Sequence, residues 1–189
     1  MIVDLGTGDG RAVLAAAAAD RRALVVGVDA AATAMIESSR RAAGRAGPSN
    51  AVFVASGVDR LPPELAGFAD RVDVRFPWGS LLRGALGPDA EMTESIARRV
   101  GRDGSLEIAL SLVSGDAVEG RDPGPFSEGD IARIAAAFRP HGLHLIDVVE
   151  ITARDVAATR SSWARRLRVG VDRPAWRIRL APPSASIGR

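Results

Sequence analysis

The chain has 189 residues, of which 47% are hydrophobic and 25% are charged, as expected for one globular domain with a buried core. It has no cysteine and two histidines, His141 and His144, so disulfides, thiolate nucleophiles and cysteine-bound metals are excluded and no metal site is expected. The net charge is only +2, but all 25 basic residues are arginine, which stays charged at physiological pH. No apolar run approaches the ~20 residues that span a bilayer, and the N-terminus lacks the basic and apolar segments of a signal peptide. We therefore expect a soluble, cytoplasmic protein.

Short apolar runs alternate with amphipathic or alanine-rich stretches, which is the pattern of βαβ units in an α/β fold. The pattern predicts strands at 2–5, 23–29, 51–56, 72–76, 105–112, 144–152 and 175–181. It predicts helices at 11–20, 33–43, 90–100, 128–138 and 155 to about 166. The segment 101–104 predicts a turn, and the Gly- and Pro-containing stretch 114–125 predicts a surface loop. We expect a single domain over residues 1–189, with a seven-stranded, mostly parallel sheet and flanking helices.

The first predicted strand leads directly into three glycines, Gly6, Gly8 and Gly10, and then into a helix. A tight glycine turn lets backbone amides approach a ligand closely, and the first helical turn offers unpaired N–H groups. The glycine spacing differs from the G-x-G-x-x-G of dinucleotide-binding folds. An acid before G-x-G-x-G, here Asp4, is instead typical of S-adenosylmethionine (SAM) methyltransferases, and its carboxylate suits the cationic amino group of SAM.

The next two predicted strands also end in residues suited to a nucleoside. Asp29, followed by Ala30, lies 19 residues after the last of these glycines, close to the ~20 expected for a carboxylate that holds both ribose hydroxyls. After the third strand, the backbone amides of Gly57 and Val58 and the side chain of Asp59 can read an adenine edge. A single Gly-rich turn is often only a tight βα connection, and a nicotinamide oxidoreductase is the main competing interpretation. Three such features in order favour SAM.

The fourth predicted strand leads into F-P-W-G-S-L-L at 76 to 82, at the switch point where open α/β sheets place their reaction. Amino-directed nucleic-acid methyltransferases carry an Asn- or Asp-Pro-Pro-aromatic element here, whereas this chain offers Trp78. A second tryptophan, Trp163, lies late in the chain among hydroxyls and arginines. Core packing is the usual role of tryptophan and the better interpretation of Trp176, but two tryptophans at one end of a sheet can clamp a flipped-out base.

The residues assigned to SAM binding are Asp4, Gly6, Gly8, Asp29, Ala30, Gly57, Val58, Asp59, Phe76, Ser80 and Leu81.

Several segments together resemble one family. They are D-L-G-T-G-D-G at 4 to 10, R-L-P at 60 to 62, F-P-W-G-S-L-L-R-G at 76 to 84, E-M at 91 and 92, and S-S-W-A-R-R-L at 161 to 167. Over nearly its whole length the chain resembles the aminoglycoside-resistance 16S rRNA adenine(1408)-N1 methyltransferases of Kam and Npm type. The resemblance implies a Rossmann-like class I methyltransferase fold, SAM as methyl donor, and 16S rRNA in the 30S subunit as substrate. We expect the protein to act as a monomer.

The resemblance also implies roles for particular residues. Trp78 and Trp163 would stack on the flipped adenine, Ser161 would steady the Trp163 loop, and Arg166 would contact an rRNA phosphate. Three arginines on and after the second predicted helix, here called the α2 arginines, fall where the family has lysines that dock on rRNA: Arg40, Arg41 and Arg45.

The chain departs from the family in two places. Family members begin with a β-hairpin before the first strand, whereas this sequence starts almost at the glycine turn. Either the sequence is truncated here or this member lacks the hairpin, and the rRNA contacts of that hairpin have no counterpart among residues 1–189. The family also has an arginine eight residues after the second tryptophan, where this chain has Val171. Arg168 and Arg173 are the candidates to replace it.

The scarcity of histidine and the lack of cysteine fit this reaction. Adenine N1 has an in-plane lone pair at neutral pH, so methyl transfer to it requires positioning and exclusion of water rather than a strong base. Two other interpretations remain open: a methyltransferase acting on a small molecule, and a SAM- or RNA-binding module without activity.

Overall fold

The structure is a computed structural model that describes residues 1–114, 116 and 124–183. Seven strands form one sheet in the order β3-β2-β1-β4-β5-β7-β6. They are β1 (Ile2–Leu5), β2 (Val25–Asp29), β3 (Ala51–Ala55), β4 (Ala69–Arg75), β5 (Val100–Leu110), β6 (His144–Glu150) and β7 (Trp176–Ala181). The helices are α1 (Arg11–Ala19), α2 (Ala32–Ala43), α3 (Gly79–Leu86), α4 (Ala90–Ala97), α5 (Glu128–Phe138), α6 (Ala153–Ala158) and α7 (Ser162–Arg166).

The sheet is mixed. Strand β7 pairs antiparallel with β5 and β6, and the other neighbouring pairs are parallel, which confirms the predicted seven-stranded, mostly parallel sheet. The strand order reverses direction at β1, which lies between β2 and β4. A crevice therefore opens at the carboxyl ends of β1 and β4, where open α/β sheets bind their ligands.

Helices cover both faces of the sheet, which explains why the central strands are apolar runs. On one face α1 packs its buried Val13 and Ala17 against Val25 of β2. On the other face α3, α4 and α5 contribute to the main core, with Ile96 and Phe138 fully buried. Within the described residues, no helix is both long and apolar enough to cross a membrane.

Helix α3 was absent from the sequence prediction, although the sequence carries its signal. Leu82, Ala85 and Leu86 are buried on one face of α3, at the spacing of an amphipathic helix. Gly87 ends the helix with a φ of 99°, a conformation that favours glycine.

The predicted turn at 101–104 is wrong, because β5 already begins at Val100 and α4 ends at Ala97. The glycines in this stretch allow close approach to β4, since a Cβ on Gly101 would lie 2.9 Å from the carbonyl oxygen of Ala69. The pairing of β4 with β5 is irregular at this point, and glycine is common where strands bulge or approach closely. Most of the predicted loop at 114–125 lies outside the described residues.

The single helix predicted from 155 to about 166 is divided into α6 and α7. Arg160 has a φ of 57°, which a helix interior does not accommodate. Ser161 then accepts a hydrogen bond from the backbone N–H of Ala164, 3.2 Å away, and so caps the start of α7. The break places α7 at the carboxyl end of the sheet.

Candidate active site

The carboxyl ends of β1, β2, β3 and β4 border a cavity of about 740 Å³, within the ~300 to 1,000 Å³ typical of small-molecule sites. Every residue assigned to SAM binding from the sequence lines this cavity. The residues expected to handle the base, Trp78, Ser161 and Trp163, line it as well, as does Arg166. The structure thus brings Ser161, Trp163 and Arg166, which lie late in the chain, to the same cavity as residues 4–81.

The glycine turn after β1 forms one wall. Gly6, Gly8 and Gly10 have φ values of 72°, 59° and 72°, which favour glycine at all three positions. A Cβ on Gly6 would lie 2.6 Å from the side chain of Leu81, and one on Gly10 would overlap Phe53. At Gly8 a Cβ would meet nothing within 4 Å. Gly8 is therefore the point where the backbone faces open cavity and a ligand can approach closely.

Asp29 ties the turn to the end of β2. Its Oδ2 accepts a hydrogen bond from the backbone N–H of Gly8, and its Oδ1 accepts one from the backbone N–H of Ala31, both at 2.8 Å. A carboxylate has about four acceptor sites, so each oxygen can accept another hydrogen bond. The cap position of α2 itself is Ala31, so Asp29 is not the N-cap residue of that helix.

The third strand end is a short 3₁₀ turn, Val58–Arg60, that follows Gly57. Val58 is buried, and Asp59 is exposed at the edge of the cavity. An apolar side chain with a carboxylate beside it provides a surface and a hydrogen-bond acceptor for a flat, polar ring.

Asp4 lies at the bottom of the cavity in a buried ionic cluster that sequence reasoning missed. Its Oδ1 accepts from the Nη1 of Arg75 and its Oδ2 accepts from the hydroxyl of Thr7, both at 2.7 Å. The Nη2 of Arg75 also donates to Asp73, at 2.5 Å. Asp4 and Asp73 are paired in register on neighbouring strands and are 3% and 2% exposed. One guanidinium thus holds two adjacent carboxylates.

The cluster shifts the ionisation of its members. Burial raises the pKa of Asp4, and the neighbouring Asp73 adds to this, while Arg75 and Thr7 oppose it. Burial acts to lower the pKa of Arg75, but the surrounding carboxylates outweigh it and raise that pKa overall. The alternation of charged residues at 71, 73 and 75 in a central strand was the available signal, because buried charges in a sheet need partners.

The segment after β4 turns sharply into the cavity. Phe76 is buried and has a φ of 50°, and Gly79 has a φ of 54°. Between them Trp78 is 49% exposed. Ser80 and Leu81 follow in the first turn of α3 and line the cavity.

Trp163, on α7, is partly buried against a small cluster that includes Phe76, Ile151 and Val169. Its ring meets that of Trp78 edge to face, with centroids 4.9 Å apart and planes at 86°. Among the described residues its Nε1 has no hydrogen-bond partner although the atom is buried. The two rings are therefore neighbours, as the clamp hypothesis requires, but they do not face each other in parallel.

Known proteins similar to this chain identify its family. A family model described as "NpmA: 16S rRNA (adenine(1408)-N(1))-methyltransferase" matches residues 1–181. The chain belongs to this family. A 16S rRNA (adenine(1408)-N(1))-methyltransferase of Streptoalloteichus hindustanus is 35% identical over 179 residues, which are 92% of this chain and 82% of the relative. A 16S rRNA (adenine(1408)-N(1))-methyltransferase of Escherichia coli is 27% identical over 194 residues, and the match covers 93% of this chain and 84% of the relative.

Solved structures of methyltransferases agree with the family assignment. One is a mutant 16S rRNA (adenine(1408)-N(1))-methyltransferase from Catenulisporales acidiphilia with cosubstrate SAM. Its TM-score is 0.85 at 31% sequence identity, and the match covers 98% of this chain and 88% of that methyltransferase chain. The 16S rRNA methyltransferase KamB has a TM-score of 0.83 at 32% identity, with coverage of 96% and 87%. The predicted Rossmann-like methyltransferase fold is confirmed.

For a member of an rRNA methyltransferase family, the positions of the arginines matter. The α2 arginines are all exposed, at the last turn of α2 and just after it. Arg166 is exposed at the mouth of the cavity. These positions leave the guanidinium groups accessible to a large anionic substrate.

The two candidates to replace the family arginine at Val171 differ. Arg168 is exposed and forms an ion pair with Asp172, four residues later. Arg173 is turned inward, where it pairs with Asp116 and donates to the backbone oxygen of Ser111 at 3.3 Å. Because its side chain is only 15% exposed, Arg173 joins two segments of the protein and does not fill the place of an RNA-facing arginine. Trp176, expected in the core, is partly buried, with its ring centroid 5.6 Å from that of Phe126.

Proposed function

We propose that the protein transfers the methyl group of SAM to N1 of adenine 1408 in 16S rRNA, the reaction for which its family is named. The observation that carries the proposal is the single cavity in which a glycine turn and three acidic strand ends lie opposite two adjacent tryptophans. We further propose that the modification confers aminoglycoside resistance. A similar structure, the aminoglycoside resistance methyltransferase NpmB1, has a TM-score of 0.74 at 30% identity.

The residues of the cavity fit SAM group by group. The Asp4 carboxylate provides a negative charge for the ammonium group of SAM. Because nothing lies within 4 Å of a Cβ on Gly8, the methionine part of SAM can lie close to the backbone there. Asp29 has acceptor sites left for the ribose hydroxyls. Val58 and Asp59 offer an apolar surface and an acceptor for the adenine. When bound, SAM supplies a methyl group on a positively charged sulfur.

The tryptophans fit the acceptor base, but only after a change in their arrangement. A base between two parallel rings requires a separation of about 7 Å, twice the ~3.5 Å of carbon contacts. The observed centroids are 4.9 Å apart with nearly perpendicular planes. Trp78 is half exposed, so its rotation disturbs little of the core. We infer that base entry separates the rings, with Trp163 held by the capped start of α7.

The chemistry requires no general base from the protein. The lone pair of adenine N1 forms the new C–N bond as the C–S bond breaks, leaving a cationic N1-methyladenine and a neutral thioether. The protein holds N1 in line with the methyl group and excludes water, for which positioning is the main contribution. Tryptophan faces also favour a cationic purine, by ~0.5 to 2 kcal/mol.

The surroundings of the cavity favour a macromolecular acceptor. A pocket for a small molecule would be closed and apolar, whereas this cavity opens beside the exposed Trp78, Arg160 and Arg166. We propose that the α2 arginines and Arg166 contact rRNA phosphates and that the substrate is the assembled 30S subunit. Because a single chain supplies every residue that lines the cavity, we propose a monomer, acting in the cytoplasm where 30S subunits are located.

The test is methyl transfer from radiolabelled SAM to purified 30S subunits, followed by primer extension on the extracted 16S rRNA. We expect label in the rRNA and a stop at adenine 1408, since N1 methylation blocks base pairing. The same reaction with free 16S rRNA shows whether assembly is required. Label confined to a small-molecule fraction, or SAM binding without transfer to any RNA, would refute the proposal in favour of one of the two alternatives.

A further inference from the structure

A second depression, here called the arginine groove, lies beside the cavity and has a volume of about 750 Å³. Helix α1 and the end of α2 line one side, and α6, α7 and the residues after α7 line the other. Five arginines line it, and the described residues in its lining include no acid. They are Arg11, Arg41, Arg160, Arg165 and Arg168.

Most of this positive charge is not neutralised within the protein. Arg11 lies 3.3 Å from a carboxylate oxygen of Asp9, and Arg168 pairs with Asp172. Both pairs are largely exposed, so they are weak and leave the guanidinium groups free to exchange partners. Among the residues that the structure describes, no carboxylate lies within ion-pair distance of the other three arginines. The groove therefore presents at least three uncompensated charges.

The bottom of the arginine groove is apolar. Leu14, Val156 and Val169 line it and are buried. Along α1 the groove extends from Arg11 to Ala18, about 10 Å at the helical rise of 1.5 Å per residue. One nucleic-acid strand has a phosphate about every 3.4 Å along a duplex axis, so this length matches a short run of phosphates and not one small anion.

The arginine groove is continuous with the cavity. Arg160 and Ser161 line both, and Ser161 caps the helix that carries Trp163. Arg160 and Arg168 have φ values of 57° and 52°. Strained backbone of this kind persists where the surrounding structure holds it, often at binding sites.

From these observations we propose that the arginine groove binds the sugar–phosphate backbone of the rRNA strand next to the target adenine. The inference rests on the proposed function and adds Arg11, Arg160 and Arg165 to the RNA contacts. The described residues that line the groove include no aromatic side chain on which a base could stack and no carboxylate to accept from a base edge. Its contacts are therefore independent of sequence, and they position the strand so that one nucleotide can turn into the cavity.

The first test compares two double variants of the full chain. Arg11→Gln with Arg165→Gln removes one charge from each side of the groove without changing a residue that lines the cavity. Arg102→Gln with Arg139→Gln is the matched control, because both arginines are exposed and lie at the opposite end of the sheet. Binding to purified 30S subunits is measured over a series of salt concentrations.

Loss of two phosphate contacts should weaken 30S binding and lower the slope of log K against log salt by about 1.4 to 1.8. SAM affinity, measured by calorimetry, should be unchanged in both variants. A slope unchanged from that of the control variant would overturn the proposal. Because this readout is binding, it stays separate from the proposed function: failure of the unmodified protein to methylate adenine 1408 refutes the function, whatever the salt slopes show.

The second test identifies what occupies the arginine groove. Since the chain has no cysteine, Ala18→Cys introduces a unique thiol on an exposed residue of the groove, and a photo-cross-linker can be attached there. We expect cross-links to 16S rRNA nucleotides next to adenine 1408 in the 30S subunit. Cross-links only to a ribosomal protein, or yields no higher than from Arg139→Cys, would overturn the proposal.

Discussion

Replacing Trp163 should separate its proposed role in stacking the target base from its role in packing, because the ring lines the cavity and also contacts a buried cluster. A fully buried tryptophan truncated to alanine costs about 3 to 5 kcal/mol. Here the ring is partly exposed and its buried Nε1–H has no acceptor among the described residues, so truncation also relieves an unfavourable term of about 1 to 3 kcal/mol. We expect Trp163→Ala to lower the free energy of unfolding by about 1 to 2 kcal/mol. At 2 to 4 °C per kcal/mol, the melting temperature should fall by about 2 to 8 °C.

Methyl transfer should fall much further. Stacking of a base on an aromatic ring contributes ~1 to 3 kcal/mol, which corresponds to about 5- to 150-fold in kcat/KM at temperatures where the variant is folded. Trp163→Phe keeps a flat face and removes the unpaired N–H, so it should melt within a few degrees of the parent and retain part of the activity. SAM affinity should be unchanged in both variants, since Trp163 lies on the acceptor side of the cavity.

The assay combines differential scanning calorimetry, calorimetric SAM binding and single-turnover methyl transfer to 30S subunits. Trp176→Phe is the matched control, because Trp176 lies outside the cavity against Phe126, and it should leave kcat/KM unchanged. Trp78→Ala should reduce transfer with little effect on melting, given its exposure. A Trp163→Ala variant that loses more than about 4 kcal/mol, with SAM affinity falling in proportion, would show that Trp163 is a packing residue.

Three further outcomes test the remaining parts of the site. Asp29→Ala should weaken SAM binding by roughly a hundredfold, since a charged hydrogen-bonding partner contributes ~2 to 3 kcal/mol. Asp20→Ala, the control, removes an exposed acceptor outside the cavity and should leave SAM binding unchanged. If calorimetry gives the two variants the same SAM affinity, Asp29 does not hold the ribose. Burial raises the pKa of Asp4, so as the pH is lowered SAM affinity should begin to fall at a pH above the ordinary pKa of aspartate. Arg75→Gln removes a cation that lowers this pKa, so it should move the loss of affinity to higher pH. A pH titration of SAM binding in which Arg75→Gln causes no such shift would contradict the role of the cluster. Changing the α2 arginines to glutamate should weaken 30S binding and flatten its salt dependence without altering SAM affinity, and an unchanged slope would mark them as a solvated helix face.

The strand ends proposed to bind SAM were predictable because their chemistry is local in the sequence. Gly8 follows the apolar strand β1 and Asp29 is the last residue of the apolar strand β2, and parallel strands bring their carboxyl ends to one edge of the sheet. The hydrogen bond from Gly8 to Asp29 is a consequence of that topology. Sequence spacing could therefore anticipate the site without any knowledge of the contacts.

The role of Arg75 was not predictable in the same way, because it depends on how the residues of β1 and β4 are paired in the sheet. Only the pairing of β1 with β4 places Asp4 beside Asp73, and only then does a single guanidinium between them become necessary. Arg173 illustrates the reverse case. It lies in an arginine-rich segment that suggests RNA, but tertiary folding brings Asp116 to it, and the sequence separation of the two residues conceals that contact.

The non-glycine residues with positive φ in the described chain are Phe76, Arg160 and Arg168, and all of them border the cavity or the arginine groove. Each such residue costs of order 1 to 3 kcal/mol, so the surrounding contacts must compensate. Phe76 is held by its buried ring and by a 2.8 Å hydrogen bond from its N–H to the Ala109 oxygen. Substituting glycine at Arg160 would relieve backbone strain, but it would also loosen the start of α7 that positions Trp163 and remove one charge of the arginine groove. We therefore expect Arg160→Gly to be close to neutral for stability while methyl transfer falls, and a variant that lost stability with unchanged transfer would show that the strain serves folding instead of the site.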